Sequence, residues 1–158
     1  MNTRTPSNLH QILIMPPDMR SEQDNERATV LSRQWLSEKE EVPKGEEDRR
    51  SIDDPRLRYL YITLRPYPKL RHLQAIARSR CRNADEMEVV NDFIESRLEK
   101  DVALYNHQKA ANFGADNQRF WGYIQSRLRY SCSTWNKDQA KREGKEILTD
   151  PADFSTPI

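Results

Sequence analysis

Residues 84–105 read ADEMEVVNDFIESRLEKDVALY, a stretch in which apolar residues recur every three or four positions. This spacing predicts one apolar face of an α-helix. The residues on that face are Met87, Val90, Ile94, Leu98, Val102 and Tyr105. Asn83 is a suitable N-cap, and the acids that follow it match the positive end of the helix dipole. We therefore predict a long helix that begins at Ala84 and continues toward Asn112.

A second apolar stripe follows the short connection at Gly114. Its residues are Phe120 or Trp121, Ile124, Leu128, Cys132 and Trp135, and Asp116 can cap the helix that carries them. Two helices joined by so short a connection pack as antiparallel neighbours. We predict an all-α fold built on an antiparallel helical hairpin of residues 84–112 and 116–135.

The rest of the chain divides at its prolines and charge runs. Pro6, Pro16 and Pro17 predict that the N-terminal residues form an extended arm that is mobile in the isolated chain. Leu73, Ile76 and Ala77 predict a short helix over residues 69–80. The predicted organisation is an extended arm over 1–20, a helix over 21–41, a charged linker over 42–53, a helical domain over 54–148 and an extended C-terminal arm over 149–158.

Composition limits the classes of protein to which the chain can belong. Of its 158 residues 35% are hydrophobic and 32% are charged, a lower and a higher share than in typical globular chains. The longest uninterrupted apolar run is four residues, 12–15 or 59–62, whereas a membrane-spanning helix needs about 20. Two cysteines, Cys81 and Cys132, predict free thiols in a reducing, intracellular compartment.

The net charge of +1 conceals a basic block over residues 56–82 that contains no acid. Its cations are Arg56, Arg58, Arg65, Lys69, Arg71, Arg78, Arg80 and Arg82. One interpretation is that they neutralise the acids of residues 85–101, and the other is that they bind a partner. Arginines next to tyrosines suit RNA, and arginine forks also suit carboxylates of a protein. A helix-turn-helix is excluded because its recognition helix would begin with acids.

The sequence predicts no catalytic residue, no metal site and no cofactor. His10, His72 and His107 have no second ligand at metal-binding spacing. Carboxylates spaced along residues 85–99 are interpreted as a solvated helix face rather than an acid–base pair. Trp121 lies beside its stripe, so we expect either a third helix that covers it or a contact with a partner subunit.

These observations favour a non-catalytic accessory subunit of a large multiprotein assembly, for which a mitochondrial respiratory-type complex is one candidate. The acid-poor N-terminal stretch favours a mitochondrion slightly over the cytoplasm. The alternative is an RNA-binding component of a ribonucleoprotein such as a ribosome. The balanced net charge favours the first interpretation, because RNA-binding subunits carry a strong positive field.

Overall fold

The computed structural model describes residues 2–41, 55, 64–81 and 85–142. These residues form helices and turns with no strand among them, which confirms the all-α fold class. The α-helices are α1 (Ser7–Leu13), α2 (Glu22–Leu36), α3 (Pro68–Arg80), α4 (Glu86–Asp92), α5 (Leu98–Leu104) and α6 (Arg119–Arg142). A π-helix (Phe93–Arg97) joins α4 to α5, and 3₁₀ turns lie at Pro17–Met19, Ala111–Phe113 and Asp116–Gln118. None of the helices in this part of the chain is long and apolar enough to cross a bilayer.

The prediction of an extended N-terminal arm is corrected by α1. Leu9, Ile12 and Leu13 are buried, and α1 packs on α2. Their spacing is that of one helix face. Pro6 lies just before the helix and Pro16 lies beyond its end, so the prolines bound the helix instead of interrupting it.

The predicted helix over 21–41 forms as α2, and it is closed at its N-terminus by a capping box. The Ser21 backbone N–H donates to Asp24 Oδ2 at 2.9 Å, and the Asp24 N–H donates to Ser21 Oγ at 3.0 Å. The helix ends at Leu36, five residues early. The Glu40 N–H then donates to the Pro66 carbonyl at 2.7 Å, which brings the end of this segment beside the start of α3. The charged linker over 42–53 lies outside the described residues.

The predicted helix over 69–80 is confirmed as α3. Proline stands at its first position, where its missing N–H is tolerated, and Leu73, Ile76 and Ala77 are buried as expected. Residues 54 and 56–63 of the predicted helical domain lie outside the described residues. The C-terminal arm over 149–158 lies outside them as well.

Residues 86–104 are helical, but the helix is widened at its centre. The buried positions Val90, Ile94, Leu98 and Val102 are four residues apart, a spacing that drifts off one face of an α-helix of 3.6 residues per turn. The π-helix at Phe93–Arg97 takes up this drift by adding a residue to one turn. Arg33 of α2 donates to the Ile94 and Glu95 carbonyls at 3.1 and 3.2 Å.

Both predicted ends of this helix differ in the structure. Asp85 is the N-cap, and its Oδ1 accepts from the Met87 and Glu88 N–H groups; the predicted cap, Asn83, lies outside the described residues. The helix ends at Leu104 rather than near Asn112, because Tyr105 adopts an extended conformation. Arg20 closes this end by donating to the Val102 carbonyl at 2.8 Å and to the Tyr105 carbonyl, so the orphan carbonyls of the last turn have a partner.

The predicted hairpin is not confirmed as the unit that holds the core. The α6 helix packs most extensively on α3 and less on α4. Its stripe is nevertheless buried as expected, with Ile124, Leu128 and Cys132 fully enclosed. One apolar cluster joins residues from α1 through α6. The acids Asp85, Glu88, Asp92, Glu95 and Glu99 are exposed, which confirms the solvated helix face.

Candidate functional site

The basic block does not form one surface in the described part of the chain. Arg65 and Lys69 are buried, and Arg71 is half-buried. Arg78 and Arg80 are exposed near the end of α3. The remaining three cations, Arg56, Arg58 and Arg82, lie outside the described residues. Of the predicted partner contacts, the structure thus places two described arginines, Arg78 and Arg80, at the surface in the last turn of α3.

Lys69 lies inside the fold beneath an aromatic ring. Its side chain is fully buried, and its Nζ lies 5.2 Å from the centroid of Trp35. No hydrogen-bond partner for this Nζ exists among the described residues. Burial lowers the pKa of Lys69, while the charges of Glu38 and Glu40 act in the opposite direction. Lys69 therefore contributes to packing rather than to a contact surface.

Trp121 is 6% exposed, so the expected partner contact at this residue is corrected to a packing role. Its ring meets Trp35 of α2 edge-on at 6.0 Å between centroids and lies 5.4 Å from the ring of His72 on α3. The alternative expectation, that another helix covers the tryptophan, is the one confirmed.

Three polar side chains that are distant in sequence meet where α1 approaches the start of α6. His10 Nε2 lies 3.1 Å from Asp116 Oδ2, and His107 Nε2 lies 2.6 Å from Asp116 Oδ1. The two imidazole rings are edge-on, 5.3 Å apart between centroids. We call these three residues the histidine cluster. One ligand atom from each lies within 4.8 Å of the others.

The folding of α1 and of the loop before α6 brings the cluster together. Burial of Leu9 and Leu13 fixes α1 and thereby places His10. The Thr5 N–H donates to the Asn117 carbonyl at 2.8 Å, so a backbone hydrogen bond also joins the two segments. Gly114 has φ +149°, a conformation that other residues rarely adopt, where the loop turns toward Asp116.

His107 is held by groups on both sides of its ring. Its Nδ1 lies 2.8 Å from the hydroxyl of Tyr105, which is fully buried. Arg119 donates to the His107 carbonyl at 3.3 Å and to the Gly114 carbonyl at 3.1 Å. Burial raises the pKa of Tyr105 well above its ordinary value, so its hydroxyl keeps its proton.

Asp116 joins the two histidines electrostatically. The hydrogen bond from His107 is the main cause that lowers the pKa of Asp116, and the nearby His10 adds to the effect. The carboxylate is therefore ionised at neutral pH, and it accepts a hydrogen bond from each imidazole Nε2. Two imidazoles and a carboxylate are also donors of the kind that borderline transition metals prefer.

Sequence reasoning missed this cluster because its members are 97 and 9 positions apart, too far for a ligand-spacing pattern. The apolar face of Leu9, Ile12 and Leu13 was the available signal. This face indicates that α1 packs on the rest of the fold, and the packing of α1 fixes the position of His10 within it.

Cys81 and Cys132 are both free thiols that lie against each other, at the end of α3 and within α6. The Cys132 thiol donates a hydrogen bond to Cys81, and burial raises the pKa of both. For Cys132 the pKa rises to about 12. Since the thiolate is the reactive form, neither side chain has the ionisation of a nucleophile at neutral pH.

A shallow cleft of about 170 Å³ lies between α4 and α6, with Val89, Ser131 and Trp135 in its walls. Sites for small organic molecules enclose roughly 300–1,000 Å³. The cleft is therefore too small to enclose an organic cofactor.

No protein-family model, no curated protein and no solved structure matches this chain.

Proposed function

We propose that the chain is a non-catalytic structural component of a multiprotein assembly, which it contacts through an exposed apolar area near Arg20. Ile14, Met19 and Leu104 are 46%, 71% and 60% exposed. Arg20 ties their segments together, because its guanidinium donates to the Met15 carbonyl at 3.2 Å and to the Val102 carbonyl at 2.8 Å. Exposed large apolar side chains on neighbouring segments are typical of a contact with another protein.

The exposed pair Arg78 and Arg80 is the second element of this proposal. Both extend from the last turn of α3, where their guanidinium groups can pair with carboxylates of an acidic partner. Because Arg65 and Lys69 are buried, these two cations of the basic block do not reach the surface where they could bind phosphates of RNA. The proposal therefore keeps a protein, rather than RNA, as the partner of this surface.

A mitochondrial location remains part of the proposal with one physical restriction. Removal of residues 1–20 as a cleaved targeting segment would take Leu9, Ile12 and Leu13 out of the core. A mitochondrial form of this fold would have to retain these residues after import.

Native-size fractionation of cell extracts tests the proposal, with Met19→Asp/Leu104→Asp as the variant and Val30→Asp as its control. Val30 is 49% exposed on α2 and belongs to neither segment that Arg20 joins. We expect the wild-type chain and the control to migrate in one large complex and the double variant to migrate as a monomer. A wild-type chain at monomer size, or a double variant that remains in the complex, would refute the proposal.

The alternative function, an RNA-binding component of a ribonucleoprotein, is tested by a separate binding measurement. Binding of single-stranded RNA by the purified chain at physiological salt is expected to be no tighter than about 10⁻⁶ M, by analogy with non-specific DNA binding. Sub-micromolar, sequence-selective binding that is lost in Arg78→Ala/Arg80→Ala would make the ribonucleoprotein assignment the better one.

A further inference from the structure

We propose that His10, His107 and Asp116 form a binding site for a borderline divalent transition metal ion, Zn²⁺ being the best fit. The site is independent of the proposed structural role. It rests on the convergence of three ligand atoms, two imidazole Nε2 atoms and one carboxylate oxygen, within 4.8 Å of one another.

The distances suit an ion bound among the three side chains. Zinc binds imidazole nitrogen and carboxylate oxygen at roughly 2.0–2.2 Å, so two of its tetrahedral ligands are about 3.3 Å apart. The present separations are 3.1 Å from His10 Nε2 to Asp116 Oδ2 and 2.6 Å from His107 Nε2 to Asp116 Oδ1, and they need to widen by less than about 1 Å. The other separations among the three ligand atoms are within 4.8 Å and need to shorten by at most about 1.5 Å. Binding replaces the two hydrogen bonds to Asp116 by three bonds to the metal. In each neutral imidazole the proton moves from Nε2 to Nδ1 by exchange with solvent, so that Nε2 is free to bind the ion.

The donor set selects the class of metal. Two nitrogen ligands and one oxygen favour Zn²⁺, Co²⁺ or Ni²⁺ over Mg²⁺ and Ca²⁺, which take oxygen ligands. The site also has access to solvent: the side chain of Asp116 is 68% exposed, that of His10 22% and that of His107 9%. Water can therefore fill the remaining coordination positions.

Tyr105 provides the outer support that metal-bound histidines characteristically have. With Nε2 on the metal, the Nδ1–H of His107 points at the Tyr105 oxygen, 2.8 Å away. The Tyr105 ring is fixed in turn by edge-on contacts with Phe120 and Tyr123 at 5.3 and 4.8 Å between centroids. Such outer hydrogen bonds hold the ring orientation and raise metal affinity.

Titration of the full chain with Zn²⁺, followed by calorimetry, tests the site. His10→Gln and Asp116→Asn each remove a ligand while keeping a polar side chain of similar size. His72→Gln is the matched control, because His72 bonds to Gln125 Oε1 at 3.0 Å and lies outside the cluster. We expect one Zn²⁺ per chain with micromolar or tighter affinity, unchanged in the control and at least about tenfold weaker in each ligand variant.

Two measurements on the folded chain keep the test independent of variant stability. Addition of Zn²⁺ should shift the imidazole NMR signals of His10 and His107 and leave that of His72 in place. Co²⁺ should give d–d absorption without a thiolate charge-transfer band, which separates this site from Cys81 and Cys132. Tyr105→Phe, which retains the ring, should weaken Zn²⁺ binding by roughly 10–100-fold.

Three outcomes would overturn the proposal. They are the absence of saturable Zn²⁺ binding to the wild-type chain, an equal loss of affinity in His72→Gln, and a Co²⁺ spectrum dominated by thiolate bands. In each case the cluster would be only a hydrogen-bonded contact that attaches α1 to the start of α6.

Discussion

Residues 2–20 contain two cations and residues 64–81 contain five, and each segment buries a positive charge in a different way. Arg20 is enclosed with its guanidinium on backbone carbonyls of residues 15, 102 and 105. Lys69 is enclosed with its ammonium over Trp35 and no hydrogen bond among the described residues. A buried donor that finds acceptors stabilises a fold, and one that finds none destabilises it. The comparison teaches that local charge density does not reveal which cations face solvent.

The two segments also differ in what attaches them to the fold. The N-terminal segment is attached by an apolar face, by Arg20 and by the contact between His10 and Asp116. The α3 segment is attached by its apolar face and by hydrogen bonds from Glu40 to Pro66 and between His72 and Gln125. Its side chains Arg78 and Arg80 are exposed. Variants in the two segments therefore make separate predictions about stability.

The largest effect is expected from removal of core side chains in both regions. Leu9 and Leu128 are fully buried, so Leu9→Ala and Leu128→Ala should each lower the free energy of unfolding by about 2–5 kcal/mol. Ile14→Ala, just after the last residue of α1 and 46% exposed, is the control and should change the free energy of unfolding by less than about 0.5 kcal/mol. Urea denaturation measures all three. A Leu9→Ala variant as stable as the control would mean that α1 does not belong to the core.

The next effect concerns Arg20. Arg20→Met removes the donor of the Tyr105 carbonyl, whereas the Val102 carbonyl keeps the Tyr105 N–H as a donor at 3.2 Å. We expect a loss of about 1–3 kcal/mol from the unsatisfied buried acceptor and the lost charged hydrogen bonds. Arg78→Met is the matched control on the exposed surface of α3 and should stay within about 0.5 kcal/mol of the wild type. Equal effects of the two substitutions in thermal unfolding would contradict the distinction between a capping and a surface arginine.

For substitution of Lys69 we predict a smaller change in the free energy of unfolding, and of opposite sign. Lys69→Met removes a buried charge and keeps a similar length, so at pH 7 the variant should be as stable as the wild type or more stable by about 1 kcal/mol. Because burial lowers the pKa of Lys69, the unfolded chain binds more protons between that pKa and the ordinary value. Wild-type stability relative to the variant should therefore rise with pH in that window. If the stability of the wild type relative to the variant falls instead as pH increases through that window, Lys69 stabilises the fold by its charge.

The smallest effect is expected for the two cysteines, whose thiols should hardly react with an alkylating reagent in the native chain. The pKa of Cys132, raised to about 12, leaves it as a thiol at pH 8, so alkylation of the native chain should be much slower than that of the urea-unfolded chain. Mass spectrometry after timed quenching locates the modified residue. Rapid native modification of Cys132 would contradict its enclosure between α3 and α6.

Much of the fold follows from apolar spacing along the sequence. The buried faces of α2, α3, residues 86–104 and α6 all repeat at helical intervals, so their existence and their inward faces were predictable. The ends of the helices are less predictable, because they depend on contacts with residues that are distant in the sequence. The helix end at Leu104 depends on Arg20, which donates to the carbonyl of Val102 from 82 positions away in the sequence. The sequence near residue 104 gives no indication of that contact.

The histidine cluster shows the same dependence on tertiary structure. Its residues have ordinary surroundings in the sequence, and only the packing of α1 gives them a common position. The π-helix could have been anticipated, since the four-residue spacing of Val90, Ile94, Leu98 and Val102 does not fit an unmodified α-helix. The prolines at 6, 16 and 17 predict an extended arm, but the apolar face between them forms α1 because Leu9, Ile12 and Leu13 are buried against the rest of the fold.

The central claim is that α1 is a fixed part of the fold and carries His10 to His107 and Asp116. Amide hydrogen exchange of the purified, monomeric chain without added metal tests it most directly. The Ile14 N–H donates to the His10 carbonyl at 3.0 Å, and the Met15 N–H donates to the Ile12 carbonyl at 3.2 Å. The structure predicts that these amides exchange far more slowly than they do in the unfolded chain. Exchange of both at the unprotected rate, with α6 still protected, would contradict the claim.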